Sequence, residues 1–209
     1  MISPLPVLIL LSGFLGSGKT TLLNKIAHYF TKKNKKVAII INEAGETGVD
    51  NLYMKKKGYA VKALFGGCIC CTLSANLKMM VEDLVTHEAV DIILMEPSGT
   101  ADPGALYKPL TQAGYTLETI HHISLVDPTR AQILFPVLEP LFESALPHSN
   151  AVILTKTDLA TKEMLHFSET MIQSYNADAP LFKMDLSKPL PEDFQDYLWQ
   201  CNTNLSAMP

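Results

Sequence analysis

Apolar residues occur along the chain in short unbroken runs, separated by longer stretches whose apolar positions recur with a helical period. This is the pattern of parallel strands joined by crossover helices. Strands are predicted at Pro6 to Leu11, Val37 to Ile41, Ala60 to Leu64, Asp91 to Met95, Ile120 to Val126, Ala151 to Leu154 and Pro180 to Lys183. Most run on without alternating, so burial on both faces is expected. Helices are predicted at Lys19 to Phe30, with Leu22, Leu23, Ile26 and Phe30 on one face, and at Ser74 to His87, with Leu77, Met80, Val81, Leu84 and Val85. Further helices are expected at Gly104 to Leu110, Gln132 to Ser144, Thr161 to Tyr175 and Pro191 to Gln200, with Pro136 and Pro140 interrupting the second of these. The class is α/β, a three-layer sandwich of helices around a mostly parallel central sheet.

At 209 residues and 47% hydrophobic content, the chain suits one domain. A formal charge of -4 gives no basic excess for nucleic acid, and no apolar stretch approaches the roughly 20 residues of a membrane span. The first apolar run leads into a glycine loop without a preceding cationic segment, so no secretory signal is expected and the cytoplasm is the predicted compartment. Lys32, Lys33, Lys35 and Lys36 lie between a helix and a strand and read as a solvated turn.

Gly13-Phe14-Leu15-Gly16-Ser17-Gly18-Lys19-Thr20 follows a strand and opens a helix, the context that G-x-x-x-x-G-K-[ST] requires. Gly13, Gly16, Ser17, Gly18, Lys19, Thr20 and Thr21 are the expected nucleotide cradle. Lys19 is assigned to the β and γ phosphates, and the Thr20 hydroxyl to Mg²⁺. Thr155-Lys156-Thr157-Asp158 follows a later strand, where guanine-binding proteins carry an N/T-K-x-D loop. A carboxylate at Asp158 matches the paired N–H donors of guanine, and the Lys156 stem is expected over the base or the phosphate loop. GTP and GDP are therefore the expected ligands. Threonine at Thr155 stands where asparagine is more usual, which points to looser specificity.

Cys68, Cys70 and Cys71 crowd into one glycine-led loop, whereas Cys201 lies far away and reads as an incidental thiol. Clustered thiolates favour Zn²⁺ and other borderline or soft ions over Mg²⁺, and they persist best in a reducing compartment. Cys70 and Cys71, being adjacent, point different ways. An oxygen ligand, a water or a symmetry partner is then needed to complete the shell, which leaves a homodimer open.

Taken together, GFLGSGKTTLL, INEAGETGVD, FGGCICCTL, MEPSGTADPGAL and TKTDL, in that order, resemble the CobW family of metallochaperone P-loop GTPases, from Ile9 through about Asp185. The resemblance implies a P-loop NTPase fold and a GTPase that captures or releases an ion such as zinc, cobalt or nickel. It also implies a client metalloprotein, with delivery of metal or assembly of a cobalamin-related centre as the task. The segment from Asn42 to Asp50 is similar to the family's first switch, with Ala44 where phenylalanine is common. By that likeness Asp50 approaches the Mg²⁺ shell or the attacking water, while Glu43 or Glu46 joins the cysteines around the transition metal. Glu96-Pro97-Ser98-Gly99 resembles the Walker B and second-switch segment, which puts Glu96 in the Mg²⁺ shell and the Gly99 amide at the γ phosphate. Many relatives continue into a second domain, which is not expected within these 209 residues, so partner recognition is expected to come from outside this single domain.

His121 and His122 adjoin each other on a strand and face opposite sides, which argues against a shared metal. Slow turnover is expected, because neither the phosphate loop nor the first switch contains an arginine. Two other readings are a nucleotide-gated sensing module with little turnover and a small-molecule kinase; the cysteine loop and Thr155 to Asp158 speak against the kinase.

Overall fold

The computed structural model describes residues 5–42, 60–64, 71–97, 99 and 102–204, with only the backbone described at 42, 60–64, 71–75 and 204. Among the described residues, seven strands form one parallel sheet: β1 (Val7–Gly13), β2 (Val37–Asn42), β3 (Ala60–Leu64), β4 (Ile92–Glu96), β5 (Ile120–Val126), β6 (Ala151–Leu154) and β7 (Leu181–Lys183). Their order is β3-β2-β4-β1-β5-β6-β7, which makes β1 central, with Ile9 opposite both Leu94 and His121.

Period-two alternation divides β1 between two cores. Val7, Ile9 and Leu11 pack with Leu22, Leu23, Ile26 and Phe30 of α1 (Lys19–Lys32) and with Phe194 and Leu198 of α6 (Glu192–Asn204). Leu8 and Leu10 face the other way, toward Leu77 and Val81 of α2 (Cys71–Asp83) and Leu106 and Leu110 of α3 (Gly104–Gln112). A third cluster joins β5 and β6 to α4 (Pro128–Ala145) and α5 (Lys162–Tyr175) through Val126, Val152, Leu154, Phe142, Met171 and Ile172. The unbroken apolar runs thus mark strands covered on both sides, as expected.

Three helices depart most from their predicted bounds, α6 by running past Gln200 to Asn204. The helix expected from Gln132 begins at Pro128, because Asp127 caps it by accepting from Thr129 N at 3.0 Å and proline is tolerated at the first helical position. Its interruption falls at Leu138, non-helical between Pro136 and Pro140, where proline amides are missing from the ladder. The helix expected from Ser74 starts at Cys71 and ends in a π turn, Leu84–Glu88, closed by left-handed Ala89. The lysine turn is mainly solvated; Lys35 lies 3.7 Å from Asp91. Among the described residues, no helix is long and apolar enough to cross a membrane.

Candidate functional site

The carboxyl end of the central strand is where the sheet meets its loops, and four loops converge there. β1 ends at Gly13 and the chain turns with a Ser17 N to Phe14 O bond of 3.0 Å before α1 begins. Gly18 caps α1 in the left-handed region at φ 96°, which suits glycine, and contributes no capping side chain. The first-turn N–H groups of α1 consequently face the loop ready for an anion, with the helix dipole adding to the attraction.

Lys19 folds back over this loop and donates to Gly13 O at 2.9 Å and to Phe14 O at 3.2 Å. Its ammonium is buried, which lowers its pKa, and the nearby Glu96 carboxylate partly offsets that effect. The Thr20 hydroxyl donates to Glu96 Oε1 at 2.9 Å. Lys19, Thr20 and Glu96 therefore meet although 76 residues separate the last two. A hydroxyl and a carboxylate side by side at a phosphate loop are the hard oxygen donors that suit Mg²⁺, so this pair fits that ion.

Gly99 packs directly on the same loop. A Cβ at that position would stand 2.5 Å from Leu15 N and 3.1 Å from Lys19 Nζ, so only glycine allows this approach. Thr155, fully buried, donates its hydroxyl to Ser17 O at 2.8 Å and thereby ties the loop from Thr155 to Asp158 to the phosphate loop. Lys156 adopts a left-handed φ of 52°, and Asp158 is exposed. Of the other predicted cradle residues, Ser17 is buried and Thr21 exposed.

Two residues at the site escaped sequence reasoning. Asp127, at the end of β5, accepts from Lys156 Nζ at 2.6 Å and so fixes that lysine; its sequence signal is an aspartate before Pro128 and Thr129. Arg130, the chain's single arginine, donates to Leu15 O at 2.9 Å from the first turn of α4. The phosphate loop has no arginine of its own, but one reaches it from another element.

Glu43, Glu46, Asp50, Cys68 and Cys70 lie outside the described residues, and Cys71 stands at the head of α2. Among the described residues, no group of three or more His, Cys, Asp and Glu could hold a metal. His122 is fully buried; its ring meets Ser12 Oγ at 2.6 Å and Tyr107 Oη at 2.8 Å. Ser12 Oγ continues the chain to Ser124 Oγ at 2.8 Å, and Ser124 to Ser149 at 2.7 Å. Cys201 is buried and unbridged, with its thiol pushed up to about 11 by burial, in keeping with an incidental role. A mostly apolar pocket walled by Phe14, Leu141, Phe142 and Leu146 borders the loop at Gly13 and Gly99, while Lys19 and Thr20 do not line it.

A parallel sheet with a glycine loop and buried lysine at the head of its central strand defines a P-loop nucleotide-binding domain of the α/β class. The sequence model for the CobW/HypB/UreG nucleotide-binding domain matches residues 7–183, and the chain belongs to that family. It is 33% identical over 186 residues to the zinc chaperone YjiA of Escherichia coli, covering 83% of this chain and 55% of that protein. Identity to the zinc chaperone CobW of Pseudomonas aeruginosa is 32% over 203 residues, covering 78% and 52%. The chain thus spans about half the length of these curated relatives. Its fold is shared with HypB from Helicobacter pylori, solved in complex with nickel, at a TM-score of 0.69 and 20% identity over 96% of this chain and 88% of that one.

Proposed function

We propose that this chain is a single GTPase domain that hydrolyses GTP and couples nucleotide state to the capture and delivery of a transition metal, Zn²⁺ or Co²⁺, held by Cys68, Cys70 and Cys71. The observation that carries the reading is the meeting of Lys19, the Thr20–Glu96 pair and Gly99 on one glycine loop, in a chain whose relatives include zinc chaperones.

Lys19 exchanges its loop carbonyls for β and γ phosphate oxygens, which are stronger, charge-assisted acceptors. Thr20 and Glu96 would hold Mg²⁺, whose charge helps neutralise the phosphates. The Gly99 amide binds the γ phosphate, and hydrolysis removes that tether. Asp158 selects guanine, and Lys156, held by Asp127, lays its stem against the base. Asp50 acts at the Mg²⁺ shell or the attacking water, and Glu43 or Glu46 completes the thiolate site.

Packing supports a route between the two sites. The helix that begins at Cys71 shares its core with the helix after Gly99, through Leu77 and Val81 against Leu106 and Leu110. A change at Gly99 is then able to alter α3 and, through it, the thiol-bearing head of α2. By reciprocity, metal must bias nucleotide affinity as much as nucleotide biases metal affinity. The client is a metalloprotein or a cobalamin-related centre, met in the reducing cytoplasm with a separate chain or a second copy assisting recognition.

The test is metal competition with GTP, GDP and no nucleotide, on wild type and a Cys70→Ser, Cys71→Ser double variant, together with phosphate release with and without Zn²⁺ or Co²⁺. Nucleotide-dependent metal affinity, lost in the double variant, is expected. Equal affinity in all nucleotide states refutes the coupling. Binding without phosphate release makes the protein a gated sensing module. Unchanged hydrolysis in Lys19→Ala defeats the nucleotide assignment itself.

A further inference from the structure

Leu15 is the point on the phosphate loop where two groups from distant parts of the chain converge. Gly99 lies against its backbone amide, and the Arg130 guanidinium binds its carbonyl. A Cβ added at neighbouring Gly16 would sit 3.3 Å from Arg130 Nη1, so the cation lies along the loop and not beyond its tip. Lys19 covers the preceding two carbonyls, Gly13 and Phe14. Three successive loop carbonyls are thus occupied by the donors of two cations.

The mount of Arg130 is rigid. Its backbone N–H donates to Asp127 O at 3.1 Å in the first turn of α4, and the Asp127 side chain caps that turn. Asp127 is also the partner of Lys156, so the turn that carries Arg130 is fastened to the base-reading loop. Among the described residues, Lys156 has this carboxylate whereas Arg130 has the neutral Leu15 carbonyl. A neutral carbonyl is a weaker acceptor than a phosphate oxygen, by roughly a factor of two in hydrogen-bond strength. The five N–H donors of a guanidinium also allow it to keep Leu15 while turning others to a ligand.

We propose that Arg130 is a catalytic residue supplied in cis, which binds the terminal phosphate of GTP and neutralises the charge that builds on its oxygens during hydrolysis. The inference rests on the nucleotide reading above and names a further residue of the same site. The phosphate in question is the terminal one, because Arg130 shares Leu15 with Gly99, the residue assigned to the γ phosphate. In the reaction, water oxygen bonds to the γ phosphorus as the bond to the β-bridging oxygen breaks. GDP departs with that electron pair and the water proton passes to phosphate or solvent. Arg130 donates hydrogen bonds throughout and transfers no proton. An arginine in cis raises the intrinsic rate above that of a site without one.

The experiment compares wild type, Arg130→Ala and Arg130→Lys for GDP affinity, for affinity toward a non-hydrolysable GTP analogue, and for single-turnover hydrolysis of bound GTP. Arg130 is exposed, so both variants should fold, and matching melting curves check this. Arg130→Ala should weaken the analogue about tenfold while changing GDP less than about threefold, and slow hydrolysis by ~100-fold or more. Arg130→Lys should recover analogue affinity better than rate, since a point charge replaces a planar fork. Equal losses for analogue and GDP would mean that Arg130 only braces the loop, and wild-type hydrolysis in Arg130→Ala would likewise overturn the proposal. If wild type itself binds no guanine nucleotide, the functional reading fails first and the inference falls with it.

Discussion

Lowering the pH from 8 to 5 should cost the folded protein stability at His122, whose ring lies beneath the residue that leads into the phosphate loop. Burial is the main reason that its pKa is pushed down to about 3; the His148 backbone opposes the shift and the charge of His148 adds to it. The folded state therefore keeps His122 neutral at pH 5, whereas in the unfolded chain a histidine of ordinary pKa near 6.5 takes up a proton. The unfolded state binds more protons between these values, so stability rises with pH across that window. It is fully present above the unfolded pKa and lost as pH falls toward the folded one. At pH 5 the interval is about 1.5 units, or about 2 kcal/mol at 1.36 kcal/mol per unit. Urea denaturation at pH 8 and pH 5, on wild type and on His122→Gln, isolates this contribution, because the other titrating groups are common to both. The variant should start less stable, having lost the bridge between Tyr107 and Ser12, yet lose about 2 kcal/mol less on acidification. Identical pH dependence in the two proteins would refute the reasoning.

Three other substitutions probe the site directly. Glu96→Gln should leave the fold intact, since an amide oxygen still accepts from Thr20, while Mg²⁺-dependent nucleotide affinity measured by titration calorimetry falls by about tenfold or more for loss of a charged ligand. Thr155→Val keeps the side-chain volume but removes the donor to Ser17 O, so urea melts should show a loss of about 1–2 kcal/mol; no loss would mean that the hydroxyl bond contributes nothing to holding the two loops together. Asp127→Asn retains a good helix cap and weakens the hold on Lys156, whereas Asp127→Ala loses both. The alanine variant should be less stable than the asparagine variant by roughly 1 kcal/mol, while both lose guanine-nucleotide affinity.

The parallel sheet was legible because strands covered on both faces must be apolar throughout, and β1, β5 and β6 are buried along nearly their whole length. The phosphate loop was legible because its glycines, lysine and threonine are contiguous, and the strand and helix beside them have clear periods. The bounds of α4 were not, because Pro136 and Pro140 argue locally against helix, and the start signal, an Asp127 cap before Pro128 at the first helical position, stands ahead of the apolar period. The polar chain from Tyr107 through His122, Ser12 and Ser124 to Ser149 joins residues from three strands or helices and the turn after α4, so spacing alone could not reveal it. Arg130 escaped for the same reason. A search for an arginine confined to the loop that binds phosphate overlooks one that reaches it across 115 residues of sequence.

The turn from Asp127 to Arg130 links the loop at Lys156 to the phosphate loop. Asp127 grips Lys156 from one side of the turn, and Arg130 grips Leu15 from the other. Thr155, beside Lys156, adds a second bond to the phosphate loop, at Ser17. An occupant that moves Lys156 must therefore strain the mount of Arg130, and one that draws Arg130 from Leu15 must act back on Asp127 and Lys156. Linkage requires these effects to be reciprocal in binding free energy. Guanine recognition and terminal-phosphate recognition should consequently be non-additive: in a double-mutant cycle between Asp127→Asn and Arg130→Ala, the loss of GTP-analogue affinity should differ from the sum of the single losses by a factor of about three or more, as expected for side chains joined through one rigid turn. Strict additivity would show that the two ends of the turn act independently, and that the rigidity of α4's first turn plays no part in reading the nucleotide.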